Sequence, residues 1–152
     1  MTAIAEKGDD RRVIGENLPR RDARDKLRGT TRYTVDSFRP GMLHAAVRRA
    51  DIAAARIRSI NIDTALRMPG VHSIITAADA PGRYGIGIAD HPLFAVDEIR
   101  YHGEPIAAVA ADTREQAQAA AKAIQVELEP LEPLLTMAQA LAPGAREIHQ
   151  NW

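Results

Sequence analysis

Cysteine is missing from all 152 residues. That excludes disulfide staples, a thiolate nucleophile and cysteine ligation of zinc or an iron–sulfur cluster. Aromatic residues are scarce, one Trp, three Tyr and two Phe, while apolar residues make up 45% of the chain. A core built from this composition must be aliphatic and filled with alanine. No apolar run approaches the roughly 20 residues of a membrane-spanning helix. Arg11-Arg12 is followed by Val13-Ile-Gly-Glu-Asn-Leu-Pro19, which is no apolar signal region. A cytoplasmic protein with no membrane partner is therefore expected. Net charge is zero, so no overall field draws in a polyanion.

What is present is one domain's worth of chain, large enough for a modest core and small for an enzyme that buries a cofactor. Its charges are segregated. Residues 1–60 hold fourteen Lys and Arg against eight Asp and Glu, and residues 61–152 hold six against twelve. That is +6 against −6, enough to pair the halves or steer a partner, although ordinary surface charge is the plainer account. Arg20, Arg21, Arg24, Lys26 and Arg28 form a basic cluster, but Asp22 and Asp25 are interleaved and only Tyr33 and Phe38 lie nearby. Nucleic-acid binding is not expected from it.

The most legible stretch runs from Glu98 to Pro133. Glu98 to Tyr101 reads as a short strand ending at His102-Gly103-Glu104-Pro105. Gly103 supplies a turn conformation that side chains resist, and Pro105 keeps Glu104 out of the helical region. Ile106 to Ala111 is apolar throughout and predicts a strand covered on both faces. Thr113 to Gln116 fits a capping box, opening a helix over about 113–124. Its Ala117, Ala120, Ala121 and Ile124 share one face almost without bulk. Val126 and Leu128 alternate with Glu127 and Glu129, a half-buried edge strand that Pro130 and Pro133 end.

Elsewhere, residues 1–13 read as a disordered tail and 150–152 as a second short one, leaving a single domain over 14–149. Arg20 to Gly29 predicts a brief helix. Asp63 is placed as the cap of a helical turn ending at Met68, before Pro69-Gly70. Val71 to Thr76 reads as a strand, and residues 79–91 as a glycine-rich loop, after which Leu93-Phe-Ala95 re-enters the core. Thr136, with Gln139 three residues on, opens a small helix to Leu141.

The residues offer no coherent catalytic group. Gly85-Ile-Gly87-Ile-Ala-Asp90 begins like a dinucleotide-binding glycine pattern, but His91-Pro92 follows where a helix would have to start. It reads as a loop that needs glycine. The histidines at 44, 72, 91, 102 and 149 lack metal-ligand spacing and are expected to be solvated or in the core. Glu127, Glu129 and Glu132 read as solubilising charge rather than an acid–base pair. Ser37, Ser59 and Ser73 have no nucleophile-elbow context. No catalytic, cofactor-binding or metal residue is assigned.

The stretch Val96 to Leu131 resembles the N-terminal a/b hammerhead domain of molybdenum hydroxylase large subunits, the xanthine dehydrogenase and aldehyde oxidase family. The family pattern V-x-Y-x-G-[QE]-P-[IV]-A-x-V-x-A-x-[ST], then an alanine-rich helix and V-x-[YV]-E-x-L, is met almost throughout. Leu128 stands where an aromatic is common, and Glu132 follows the final leucine. Further likeness runs through Arg20-Arg-Asp-Ala23, Lys26-Leu-Arg-Gly29, Tyr33, Asp36 and Pro40-Gly-Met-Leu43. It continues through Ala55-Arg-Ile57, Ile62-Asp63, Pro69-Gly-Val71 and Thr76-Ala-Ala-Asp79, covering roughly residues 14–149.

The resemblance bears on residues 42–62, whose six alanines between Leu43 and Ile57 favour helix by propensity. In the family this segment is a strand hairpin, and Arg56-Ile-Arg-Ser59 alternates accordingly, so strands are expected near 42–48 and 55–62. The implied fold is α+β, a twisted mixed sheet with the 113–124 helix and short helices near 63–68 and 136–141. The implied function is that of a non-catalytic structural or assembly domain. The complete enzyme would hydroxylate an aldehyde or N-heterocycle with water at a molybdenum–pterin centre. That centre, FAD and the iron–sulfur clusters would sit on other domains or subunits. The partner would be the molybdopterin-binding domains, in the same or a separate chain, with self-association as the other outcome. Tyr84, Ile86, Ile88 and Phe94 are the candidates for lining the substrate channel or the interface, and Gly103 and Pro105 the structural turn. The alternative is a free-standing binding or assembly module that kept the fold without the enzyme.

Overall fold

The computed structural model describes residues 15, 17 and 19–148. The tails expected over 1–13 and 150–152, and His149, lie outside the described residues. The chain divides into two units, 1–40 and 41–152.

In the first unit, α1 (Ala23–Arg28) is the expected brief helix, closed by Gly29, whose N–H donates to Asp25 and Lys26 carbonyls. Asp22 stands at its start and pairs with Arg20 at 2.5 Å and Lys26 at 2.7 Å. Those two cations hold its carboxyl below the usual aspartate value. A single 3-10 turn follows at Thr34–Asp36, where the Tyr33 N–H donates to the Asp36 carboxylate.

The second unit carries the sheets. In order they are β1 (His44–Arg49), β2 (Ala55–Asn61), β3 (Val71–Thr76), β4 (Arg83–Tyr84), β5 (His91–Pro92), β6 (Glu98–Ile99), β7 (Pro105–Ala111) and β8 (Gln125–Pro130). Between them lie α2 (Asp63–Leu66) and α3 (Arg114–Ala123), with α4 (Met137–Ala140) after β8. The α+β reading and the helices near 63–68, 113–124 and 136–141 hold. The mixed sheet does not: the described strands form sheets β1–β7–β3 and β6–β2–β8 and a ribbon β4–β5, every pair antiparallel.

The hairpin expected for 42–62 is also corrected. Both strands exist, but they belong to different sheets. Arg49 pairs with Pro105, the Ala50 N–H donates to the Glu104 carbonyl, and the Gly103 N–H donates back to Ala50. These bonds pin the end of β1 to the 103–104 turn, so β2 leaves for the second sheet instead of folding back. The cap at α2 differs as well. Asp63 is the first helical residue and caps nothing; its own N–H is taken by the Asn61 side chain at 2.9 Å.

Helix α3 is capped as its sequence requires, with Thr113 Oγ1 accepting from the Gln116 N–H and Gln116 Oε1 accepting from the Thr113 N–H. Its Ala117, Ala120 and Ala121 are buried, with Ile124 at its end. Ala120, Ala121 and Ile124 pack with Ala65, Ile74, Ala107 and Val109 in one core cluster. A second cluster joins Ala50, Ala55, Ala95, Ile99 and Ile106 beneath the other sheet. Alanine lets helix and sheet approach closely, so two small cores are closed with almost no aromatic mass.

Candidate functional site

Gly103 lies at φ +88°, in open space, and so serves the turn purely through its backbone. It stands one residue from Glu104, which is 1% exposed. A buried carboxylate must be held, and this one accepts the Arg100 N–H at 2.5 Å and faces the Arg100 guanidinium at 3.6 Å. Arg100 and Tyr101 are thereby fixed at the edge of a recess of about 200 Å³, lined with Asp90, His91, Pro92 and Ile148. His91 sits between two tyrosines, 5.5 Å from Tyr84 in a stacked arrangement and 5.9 Å from Tyr101 edge-on. Its Nδ1 is buried with no hydrogen-bond partner among the described residues. Burial raises the Tyr101 hydroxyl above the ordinary tyrosine value of 10.0, with the Glu104 charge adding to it.

The loop expected at 79–91 contains the β4–β5 ribbon, in which Arg83 opposes Pro92 and Tyr84 opposes His91. Arg83 donates to the Asp90 carbonyl at 3.0 Å. Gly85 is needed here because of a close approach: a Cβ would stand 1.8 Å from the Ile88 carbonyl oxygen. Of the four residues assigned from the sequence, Tyr84, Ile86 and Ile88 are exposed together on this ribbon, Ile86 at 107%. Phe94 is not among them. It is 5% exposed, next to Ala95, whose N–H donates to the Pro105 carbonyl. Phe94 anchors the ribbon in the core instead of lining an outer surface.

Glu104 and the recess were missed by reasoning from sequence. The available signals were the [QE] place before the proline and an arginine four residues earlier. The backbone of its turn is bonded to Ala50 at the end of β1, a contact that sequence spacing does not reveal.

Other candidate residues are accounted for structurally. His72 contacts the exposed Asp112 at 2.7 Å. Glu127 accepts from Ser59 at 3.1 Å. Glu129 is more than solubilising charge, since it pairs with Arg58 and, at 3.9 Å, with Arg56. Arg56 also lies 3.7 Å from Glu98, which Arg146 reaches at 2.7 Å. Part of the charge segregation is therefore spent on ion pairs across β2, β6 and β8. Among the described residues no group of three or more His, Asp or Glu could hold a metal ion, and no helix is long and apolar enough to cross a membrane.

The two sheets, the alanine-faced helix and the 98–130 strand–turn–strand–helix–strand order agree with a known domain type. A family profile described as "Aldehyde oxidase and xanthine dehydrogenase, a/b hammerhead domain" matches residues 28–132. The chain belongs to this family. It is 42% identical over 134 residues to a probable xanthine dehydrogenase subunit of Bacillus subtilis (strain 168), covering 87% of this chain and 18% of that protein. It is 38% identical over 144 residues to the nicotinate dehydrogenase large molybdopterin subunit of Eubacterium barkeri, covering 93% and 34%. The solved aldehyde oxidoreductase from Desulfovibrio gigas superposes with a TM-score of 0.78 at 35% identity, covering 88% of this chain and 16% of that one. The hammerhead domain of molybdenum hydroxylase large subunits is thus what this chain comprises, spanning between a sixth and a third of the length of those relatives.

Proposed function

We propose that this hammerhead domain does no chemistry of its own and serves a molybdenum hydroxylase as a structural and docking domain for its molybdopterin-binding region. The observation that carries this is the β4–β5 ribbon. It holds Tyr84, Ile86 and Ile88 out in the open, beside a recess, while Phe94 roots it in the core. Exposed apolar clusters rimmed by polar groups mark contact surfaces. The recess offers a partner side chain a tyrosine, a histidine and an arginine, and aromatic and arginine anchors dominate contact energetics.

The described residues do not assemble a donor set for a metal. In this reading the molybdenum–pterin centre, FAD and iron–sulfur clusters belong to other domains or subunits. In this reading the complete enzyme hydroxylates an aldehyde or an N-heterocycle; a nicotinate dehydrogenase and an aldehyde oxidoreductase are among the relatives.

Co-expression with the cognate molybdopterin-binding region tests the reading. A stable complex is expected, with slower hydrogen exchange over residues 83–93 and molybdenum found only in the complex. Stoichiometric molybdenum in the purified chain alone overturns the non-catalytic role. A chain that stays alone, its ribbon equally exposed with or without that region, is the free-standing module instead.

A further inference from the structure

Strand β7 is covered on both faces only at its beginning. Ile106 points into the second core cluster and is fully buried, whereas Ala108 and Ala110, on the same side of the strand, are only partly covered. The other face, with Ala107, Val109 and Ala111, is buried, and Ala107 and Val109 pack in the cluster that includes α3. Register extends the uncovered face across the sheet. Ala108 lies between Val47 of β1 and Ile75 of β3, and Ala110 between Ala45 and Ser73. Val47 and Ile75 are 39% and 40% exposed.

An antiparallel sheet with one solvated face normally alternates apolar and polar residues. Here five of these six positions are apolar and none is charged. The two alanines form a floor between ridges made by Val47 and Ile75, which at about 4.8 Å per strand spacing stand about 10 Å apart.

We infer that this open face of the β1–β7–β3 sheet is a second docking surface, covered by an apolar segment from the rest of the large subunit. The inference rests on the docking role proposed above and adds the surface on which it acts. Size selects the occupant. The patch spans two strand spacings and about three residues, on the order of 100–200 Å², against about 800 Å² per partner in a stable interface. A second copy of this chain could not be held by it alone. A larger body touching the domain at several places could use it, and the relatives are about three to six times longer than the part matched here.

The test is co-expression of the full chain with the cognate molybdopterin-binding region, comparing the parent with the double variant Val47→Arg/Ile75→Arg. Both side chains are already part-exposed on edge strands, so folding should survive. Val47→Thr/Ile75→Thr serves as a milder second variant, and a thermal melt of each chain alone checks folding. The expected result is capture by the parent and a loss of affinity of about tenfold or more in the arginine variant, with a smaller loss for threonine. Slowed exchange at Ile75 and Ala108 in the parent complex should accompany it. A folded arginine variant that binds as tightly as the parent overturns this inference and leaves the docking role standing. No complex with the parent overturns both. A parent homodimer that the arginine variant dissolves assigns the face to a second copy and also overturns the inference.

Discussion

The α3–sheet contact and the β4–β5 ribbon use the same class of residue to opposite ends. Ala107, Ala117 and Ala120 are small and fully buried, while Ile86 and Tyr84 are large and stand in the open. Hydrophobicity alone would order them the other way. What differs is support. Helix α3 has a closed capping box, ten residues and three strands beneath it, so every alanine on its inner face is buried. The ribbon has two residues per strand, a tight turn that needs Gly85, and one buried aromatic in Phe94. Two-residue strands are too short to fold a second face back on the core. Burial here follows from register and backbone support, and the apolar residues left over are free to contact something else.

Enlarging the tight side is expected to give the largest effect. Ala121→Leu should destabilise by about 1–3 kcal/mol through overpacking, whereas Lys122→Leu, off that face, should stay within about 0.5 kcal/mol. Chemical denaturation measures both, and equal responses would mean the helix face is misassigned. Gly103→Val should cost about 1–3 kcal/mol from backbone strain alone, since the space around it is open. A valine variant as stable as the parent would show the turn to be ordinary.

Removing the helix cap should matter next. Thr113→Ala is expected to cost about 1 kcal/mol, seen as a lower thermal midpoint. On the loose side, Ile86→Ser should leave stability within about 0.5 kcal/mol; a larger loss would show that the ribbon supports the core after all. Smallest is the effect of Tyr101. Its pKa is raised in the folded state, so its contribution is complete below the unfolded value near 10.0 and fades as pH rises through the folded one. Ultraviolet titration should place its ionisation above that of the unfolded chain.

Local order was legible where one stretch of chain contains its own reasons. The capping boxes at Thr113 and Thr136 and the positive φ of Gly103 need only neighbours within four residues. Strands β1 and β2 were legible as strands but not as members of separate sheets. Their partners lie more than forty residues away, and the pins at Ala50 come from the 103–104 turn. Phe94 shows the same limit at the candidate site, because a bulky residue beside a glycine-rich loop can line a surface or anchor it. The burial of Glu104 was not legible either: its partner Arg100 is only four residues away, but nothing in that spacing says that the pair is covered.

By itself, then, the sequence determined an aliphatic, alanine-filled core without disulfides, a capped helix over 114–123 and the strands on either side of it. Composition, periodicity and caps act over a turn or two of chain, and that range sufficed. Only the tertiary structure decided that the strands divide into two sheets, that Glu104 is buried, and that Phe94 goes inward while Ile86 stays out. It also decided that β7 is covered on both faces at Ile106 and only partly covered at Ala108 and Ala110. Those outcomes depend on which distant backbone groups are left to bond and which surfaces are left to cover, and long-range pairing alone settles both.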